Sequence, residues 1–290
     1  MQQTEKKYKK QSQVKEIWGR MRKNHAAMIG LAIFSIIVLV AIFADVIVPY
    51  EYGITQVAKN RLQPPSGTHL FGTDGYGRDV FARVVHGSRV SLLIGLATSV
   101  FSLVFGGLLG AAAGYYGGRV DSIIMRACDI IMSIPGMLLA LAIIAALGPS
   151  LFNLLIAITI SSIPGMVRLV RSTILTVVEQ DFIEAAHSYG SSDFRIIMKY
   201  ILPNALGPII VSTTMNIASM ILSAAGLSFI GLGIQPPQPE WGAMLSDARE
   251  FMHDAPYLLC FPGFAIVLTA LSLNLIGDGL RDALDPKLKD

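Results

Sequence analysis

The sequence predicts an all-α integral membrane protein of six transmembrane helices with both termini on the cytoplasmic side. Three observations carry that prediction. Hydrophobic residues make up 53% of the 290 residues and charged ones only 15%, outside the composition of ordinary soluble domains. The apolar residues fall in six blocks long enough to cross a bilayer, which takes about 20 residues per helix. The Lys and Arg residues gather in alternate connecting segments, the asymmetry that orients membrane helices. A net charge of +3 is too small to argue for nucleic acid, so the lipid bilayer is the first partner.

Residues 1–25 form a basic segment carrying Lys6, Lys7, Lys9, Lys10, Lys15, Arg20, Arg22 and Lys23. Val14, Trp18 and Met21 share a helical face, which would lay the second half along the membrane surface with Trp18 at the interface. Residues 1–13 read equally well as a frayed cationic tail. The block at 26–49 is too long for a signal-peptide core and lacks a small-residue cleavage site, so it is a retained first span. A polar stretch rich in Gly, Pro and turn pairs follows to residue 89, completing a unit 26–89. There Asp74-Gly75 and Tyr76-Gly77 permit tight turns, and Arg78 and Asp79 can pair or cap the next helix. Asp74 and Asp79 lack the spacing and the bidentate Glu of a calcium loop, so no metal site is expected.

Residues 90–290 hold five further spans, the second at 90–116 and the third at 123–147. The fourth follows the Gly148-Pro149-Ser150 break at 151–169, the fifth runs over 205–234 and the sixth over 257–276. Gly106, Gly110 and Gly114 recur every four residues, a groove that lets helices approach closely where lipid supplies little drive to bury them. Pro135 and Pro164 are expected to break two spans and to mark hinges. Asp129 lies well inside an apolar run with Arg126 three residues before it, a spacing that suits a structural ion pair. Cys128 and Cys260 sit in apolar runs without metal or redox spacing.

Between the fourth and fifth spans lies a polar segment that reads as helix–turn–helix. Asp181 is the expected N-cap, with Glu184 reaching back in a capping box, and Gly190 the left-handed terminator. Ser191, Ser192 and Asp193 open a second helix, which Pro203 ends or bends. Phe182, Ala185, Ala186 and Tyr189 recur at 3–4 spacing, small residues beside aromatic ones, as suits insertion into a groove on another protein. Past the fifth span, Gly231, Gly233 and Pro236-Pro237 stop the helix, and Pro239-Glu240-Trp241-Gly242 sets a rigid turn with Trp241 expected at the outer interface.

With six spans the termini share a side. Seventeen of the 23 basic residues then lie on that side, and Lys59, Arg61, Arg78, Arg83, Arg89 and Arg249 on the other. This places the 181–204 segment in the cytoplasm. No catalytic constellation emerges: His25, His69, His86, His187 and His253 are scattered, and there is no phosphate-cradling GxxxxGK[ST] loop.

Glu184-Ala185-Ala186, Gly190 and Leu202-Pro203 resemble the EAA loop of the membrane subunits of ATP-binding-cassette (ABC) importers, although Tyr200 stands where the family usually has Ile. The stretches His69 to Gly95 and Leu227 to Leu245 resemble the dipeptide, oligopeptide and nickel branch of these permeases. The resemblance implies that residues 178–204 form a coupling loop on a cytoplasmic ATPase, with Phe182, Glu184, Ala185, Ala186, Tyr189, Gly190, Leu202 and Pro203 at the contact. It implies a second homologous permease subunit as heterodimer partner, one or two ATP-binding subunits holding ATP and Mg, and an extracytoplasmic solute-binding protein, all at a prokaryotic inner membrane. This chain itself would be no enzyme and hold no cofactor. Di- or oligopeptide import is the expected activity, with nickel or a metal chelate as the alternative. An ion-coupled secondary transporter would want acids near the midplane, and a non-transporting assembly protein leaves the EAA match unexplained.

Overall fold

A computed structural model describes residues 13–284, and within them every regular element is helical. Lys6, Lys7, Lys9, Lys10, Lys287 and Lys289 lie outside the described residues, as do the side chain of Val14 and, but for Gln13, which is helical, the frayed-tail reading of 1–13. Helix α1 (Gln13–Met21) leads into α2 (His25–Ile42), whose first turn is capped by Asn24 accepting from the Ala27 N–H at 3.1 Å. Two short helices, α3 (Ala44–Ile47) and α4 (Tyr50–Ile54), follow at the far end. The chain returns along α5 (Val80–Tyr116), which begins well before residue 90 because Asp79 caps it, accepting from the Ala82 N–H at 2.9 Å.

The third apolar block is two helices, α6 (Gly118–Met132) and α7 (Gly136–Leu147), meeting at 79°. Pro135 sits at the joint in an extended conformation, since a proline has no N–H to continue the ladder and pushes its predecessor out of the helical region. Pro164 does otherwise: α8 (Leu151–Val178) runs through it unbroken, so the expected second break is absent.

After α9 (Asp181–Ser188) and the short α10 (Asp193–Ile196), Pro203, expected to end or bend the second helix, does not end it. The helix passes through a π turn at Ile197–Ile201 into α11 (Leu202–Phe229), one 37-residue rod from Asp193 to Phe229. The π turn shifts the hydrogen-bond ladder by one residue just before the proline that cannot donate, and the Asn204 side chain donates to the Tyr200 carbonyl at 2.6 Å. Helices α12 (Trp241–Ala248) and α13 (Tyr257–Leu284) complete the chain. Among the described residues five helices are long and apolar enough to span a bilayer, and the bent α6–α7 pair makes the sixth when counted as one.

Helix α2 packs on α13 through Gly30, where an added Cβ would sit 2.8 Å from the Ser272 carbonyl oxygen. Met21, Ala27, Ile276 and Ala283 form one cluster that holds α1 against the last turns of α13, with Trp18 left 43% exposed. Leu284 lies beside Gly207 at the start of α11. Both described chain ends and the 181–204 hairpin therefore occupy one end of the bundle. The loop before α5, with α4 and α12, occupies the other.

Candidate functional site

The hairpin is built on one buried face. Ile183, Ala186, Ile196 and Ile201 turn inward against Ile174 and Val177 of α8 in a single apolar cluster. Phe182 (43% exposed), Tyr189 (89%) and Phe194 (75%) point outward with Glu184 and Ala185. Leu202 is half-buried and Pro203 exposed. The 3–4 stripe divides accordingly: Phe182, Ala185 and Tyr189 share the open face, while Ala186 belongs to the anchor. Phe194 was not foreseen; its signal was an aromatic residue two places beyond the cap of the second helix.

The capping box is not formed. The helix starts one residue earlier than expected, on Gln180, which makes no side-chain cap bond, so Asp181 is already helical and Glu184 is free at the surface. The two carboxylates act only through the partial positive charge of the first turn. Ser192 likewise caps α10 by position without a side-chain bond. The terminator does form. Gly190 has φ +71°, its N–H donates to the His187 carbonyl at 2.9 Å, and the Ser191 N–H donates to Ala186 at 3.1 Å, a Schellman closure. The Tyr115 hydroxyl donates to Asp193 at 2.8 Å and ties the hairpin to the end of α5.

Gly106, Gly110 and Gly114 pack within the chain. Cβ atoms there would lie 2.7 Å from Met166 Cβ, 2.6 Å from the Val167 carbonyl and 3.0 Å from that of Arg171, so α5 and α8 touch backbone to backbone. The expected Arg126–Asp129 pair does not form. Asp129 instead accepts from Arg168 at 2.6 Å, and Asp121 is held by two Arg171 nitrogens at 2.5 Å. Neighbours across helices α6 and α8 win because both arginines lie on the α8 face that α6 crosses.

A groove opens between α7, α8, α11 and α13. It comprises cavities of about 610 Å³ and 230 Å³ that share Ser161, Ser162 and Met220. Ser212, Asn216, Ser219 and Ser223 line it from α11 at 4-3-4 spacing, a polar stripe legible in the sequence but passed over there. A second hollow of about 360 Å³ on the other side of α8 is lined by Phe101, Phe105, Phe152, Leu155, Ile156, Thr159, Ile160 and Ile163, nearly all apolar.

At the far end, Arg78 is fully buried, bonded to Asp74 at 2.6 Å and Asp247 at 2.9 Å. Arg83 lies 3.6 Å from both acids and donates to the Gly53 carbonyl at 3.1 Å. Arg78 thus pairs across to α12 and not with Asp79, which is occupied by capping and by His69 at 2.8 Å. Trp241 is 2% exposed with its indole N–H donating to the Val84 carbonyl at 3.0 Å. It is a core residue and not an interface anchor, because α12 folds back onto α5 and α11. Both Glu240 oxygens cap α12, accepting from the Gly242 and Ala243 N–H groups at 2.8 Å. Burial pushes this carboxyl above the usual carboxylate range, against the opposing effect of those N–H groups.

Residues 106–290 match the family of binding-protein-dependent transport system inner membrane components, and residues 12–65 match the N-terminal transmembrane domain of oligopeptide transport permease C. The chain is 50% identical to the dipeptide transport system permease protein DppC of Alkalihalophilus pseudofirmus, over 95% of this chain and 90% of that one. It is 45% identical to the di/tripeptide transport system permease protein DppC of Pseudomonas aeruginosa, over 96% and 94%. It is 48% identical to the glutathione transport system permease protein GsiD of Escherichia coli, over 94% and 90%. A chain of the inward-facing MetNI methionine ABC transporter superposes with a TM-score of 0.58 at 17% identity, covering 71% of this chain and 97% of that one, a likeness of fold. The protein is therefore a membrane-embedded transport subunit and not an enzyme, and it belongs to the family of binding-protein-dependent transport system inner membrane components.

Proposed function

We propose that this chain is the permease subunit of an ATP-driven importer of di- or oligopeptides in a prokaryotic inner membrane. The observation that carries the substrate class is the alignment over nearly the whole chain with permeases named for dipeptides, di/tripeptides and glutathione. The hairpin end faces the cytoplasm, following the basic residues. Phe182, Glu184, Ala185 and Tyr189 dock in a cleft of an ATPase, and one or two such subunits hold the ATP and Mg. Ile183, Ala186, Ile196 and Ile201 join the hairpin to α8 and to the α10–α11 rod, so a movement of the ATPase passes to both helices as one body. A second, homologous permease supplies the other wall of the groove, and an external solute-binding protein delivers substrate to the end that carries α4 and α12.

Uptake in cells lacking only this gene, with labelled dipeptide compared against labelled nickel, tests the reading. Dipeptide uptake lost and restored by the gene supports it. Loss of nickel uptake alone would move the chain to metal import with the same mechanism.

A further inference from the structure

The groove has a chemistry that points beyond its role as a passage, and the argument rests on the peptide reading above. Burying an amide in a membrane span is costly unless it is hydrogen-bonded. Near helix ends, half-buried Asn24 and Asn153 and exposed Asn204 bond to protein, to Asp282, to the Leu147 and Gly148 carbonyls and to the Tyr200 carbonyl. Asn216, half-buried at the middle of α11, faces the groove, with the exposed Asn274 of α13 also on its wall, and has no protein partner among the described residues. Whatever fills the groove satisfies it.

That occupant is not selected here by charge, since no Asp, Glu, Lys or Arg lines either cavity. A carboxamide offers an acceptor and a donor side by side, which matches the N–H and C=O of a peptide link. The remaining wall is rich in methionine, with Met132, Met166, Met215 and Met220 around Asn216. Unbranched thioether chains repack around differing shapes, the property of surfaces that accept many partners. The hollow on the opposite side of α8 shows the contrast, with aromatic and aliphatic residues and no methionine.

We propose that Asn216 hydrogen-bonds the peptide link of the passing substrate while the surrounding methionines accommodate its side chains. The path then reads the main chain and tolerates varied residues. The test uses the complete importer in cells with its binding protein unchanged, and normalises uptake to the amount of transporter in the membrane. Dipeptides with small, aromatic and acidic side chains are each compared with the analogue N-methylated at the peptide link. The proposal expects Asn216→Leu to lower the preference for the parent dipeptide about tenfold across the series, the effect of one unmade hydrogen bond to a buried group. Asn216→Gln should recover part of it, and Phe152→Leu, on the other side of α8, should leave it unchanged. If Asn216→Leu fails to reach the membrane, Asn216→Ala takes its place. An unchanged preference overturns the proposal, and so does a loss confined to one side-chain class, which would make Asn216 a reader of side chains. Wild-type cells that import no dipeptide would overturn the peptide reading itself, a result separate from either.

Discussion

Single residues fix the local geometry at both ends of the bundle. Gly190 holds φ +71° with open space where a Cβ would lie, so the penalty on substitution there is conformational and not steric. Asn tolerates that region, Ala less well and a β-branched residue least, at roughly 1–2 kcal/mol for leaving the favoured backbone region. Uptake and ATPase co-purification should accordingly rank Gly190 and Gly190→Asn above Gly190→Ala, with Gly190→Val lowest; equal activity for Gly190→Val would remove the strained turn from the mechanism. At the opposite end, the Glu240 carboxyl is raised by burial. Its protonated form is therefore favoured by folding, and this contribution is fullest below the unfolded pKa and fades as pH rises through the folded one. Thermal unfolding in detergent from about pH 4 to about pH 8 should show wild type losing stability relative to Glu240→Gln, which does not titrate. Wild type gaining stability relative to Glu240→Gln as pH rises would reverse the sign.

Elements divide into those that anchor and those that present. In the hairpin the two faces separate cleanly, which gives two kinds of variant. Removing the presented aromatics, Phe182→Ala with Tyr189→Ala, should leave the protein folded and abolish co-purification of the ATPase, since buried aromatic anchors at interfaces are worth about 2 kcal/mol or more each. Truncating the anchor, Ile183→Ala, should instead lower the melting temperature, with a cost of about 2–5 kcal/mol for a fully buried Ile. If both variants behaved alike, the division of faces would be wrong. The sequence was a fair guide at this scale for Asp79, Pro135 and Gly190, whose effects act within a few residues. It misled at Pro164, which is carried inside a continuous helix, and of the two outcomes open at Pro203 the ending does not occur, since the missing N–H is absorbed by a π turn.

The molecule as a whole has a fixed far end and a working end. The buried group of Arg78, Asp74, Asp247 and Arg83 ties the loop before α5 to α4 and α12. Tyr257 adds a clamp, its hydroxyl donating to the Gln63 and Thr73 carbonyls at 3.0 Å. Removing one member of a buried ion pair leaves the others uncompensated, typically at about 3–5 kcal/mol. Arg78→Met should therefore loosen the far end, seen as faster proteolytic cleavage between α4 and α5 and a lower melting temperature. A variant as protease-resistant as wild type would show that packing alone holds that end.

What the sequence determined on its own is whatever depends on composition and short spacing: the number and rough place of the spans, the glycine ladder, the hairpin turn and its exposed aromatic stripe. Hydrophobic length, four-residue periodicity and terminator residues are local properties of a chain. Partners across helices were decided only in three dimensions. Asp129 could be matched to Arg126 from sequence because they are neighbours, yet it pairs with Arg168, 39 residues away, once α6 crosses α8. Trp241 read as an interface residue because tryptophan favours interfaces, and it is buried because α12 folds inward. The groove needed both: its polar stripe on α11 is periodic in the sequence, but only the packing of α7, α8 and α13 shows that the stripe faces a cavity.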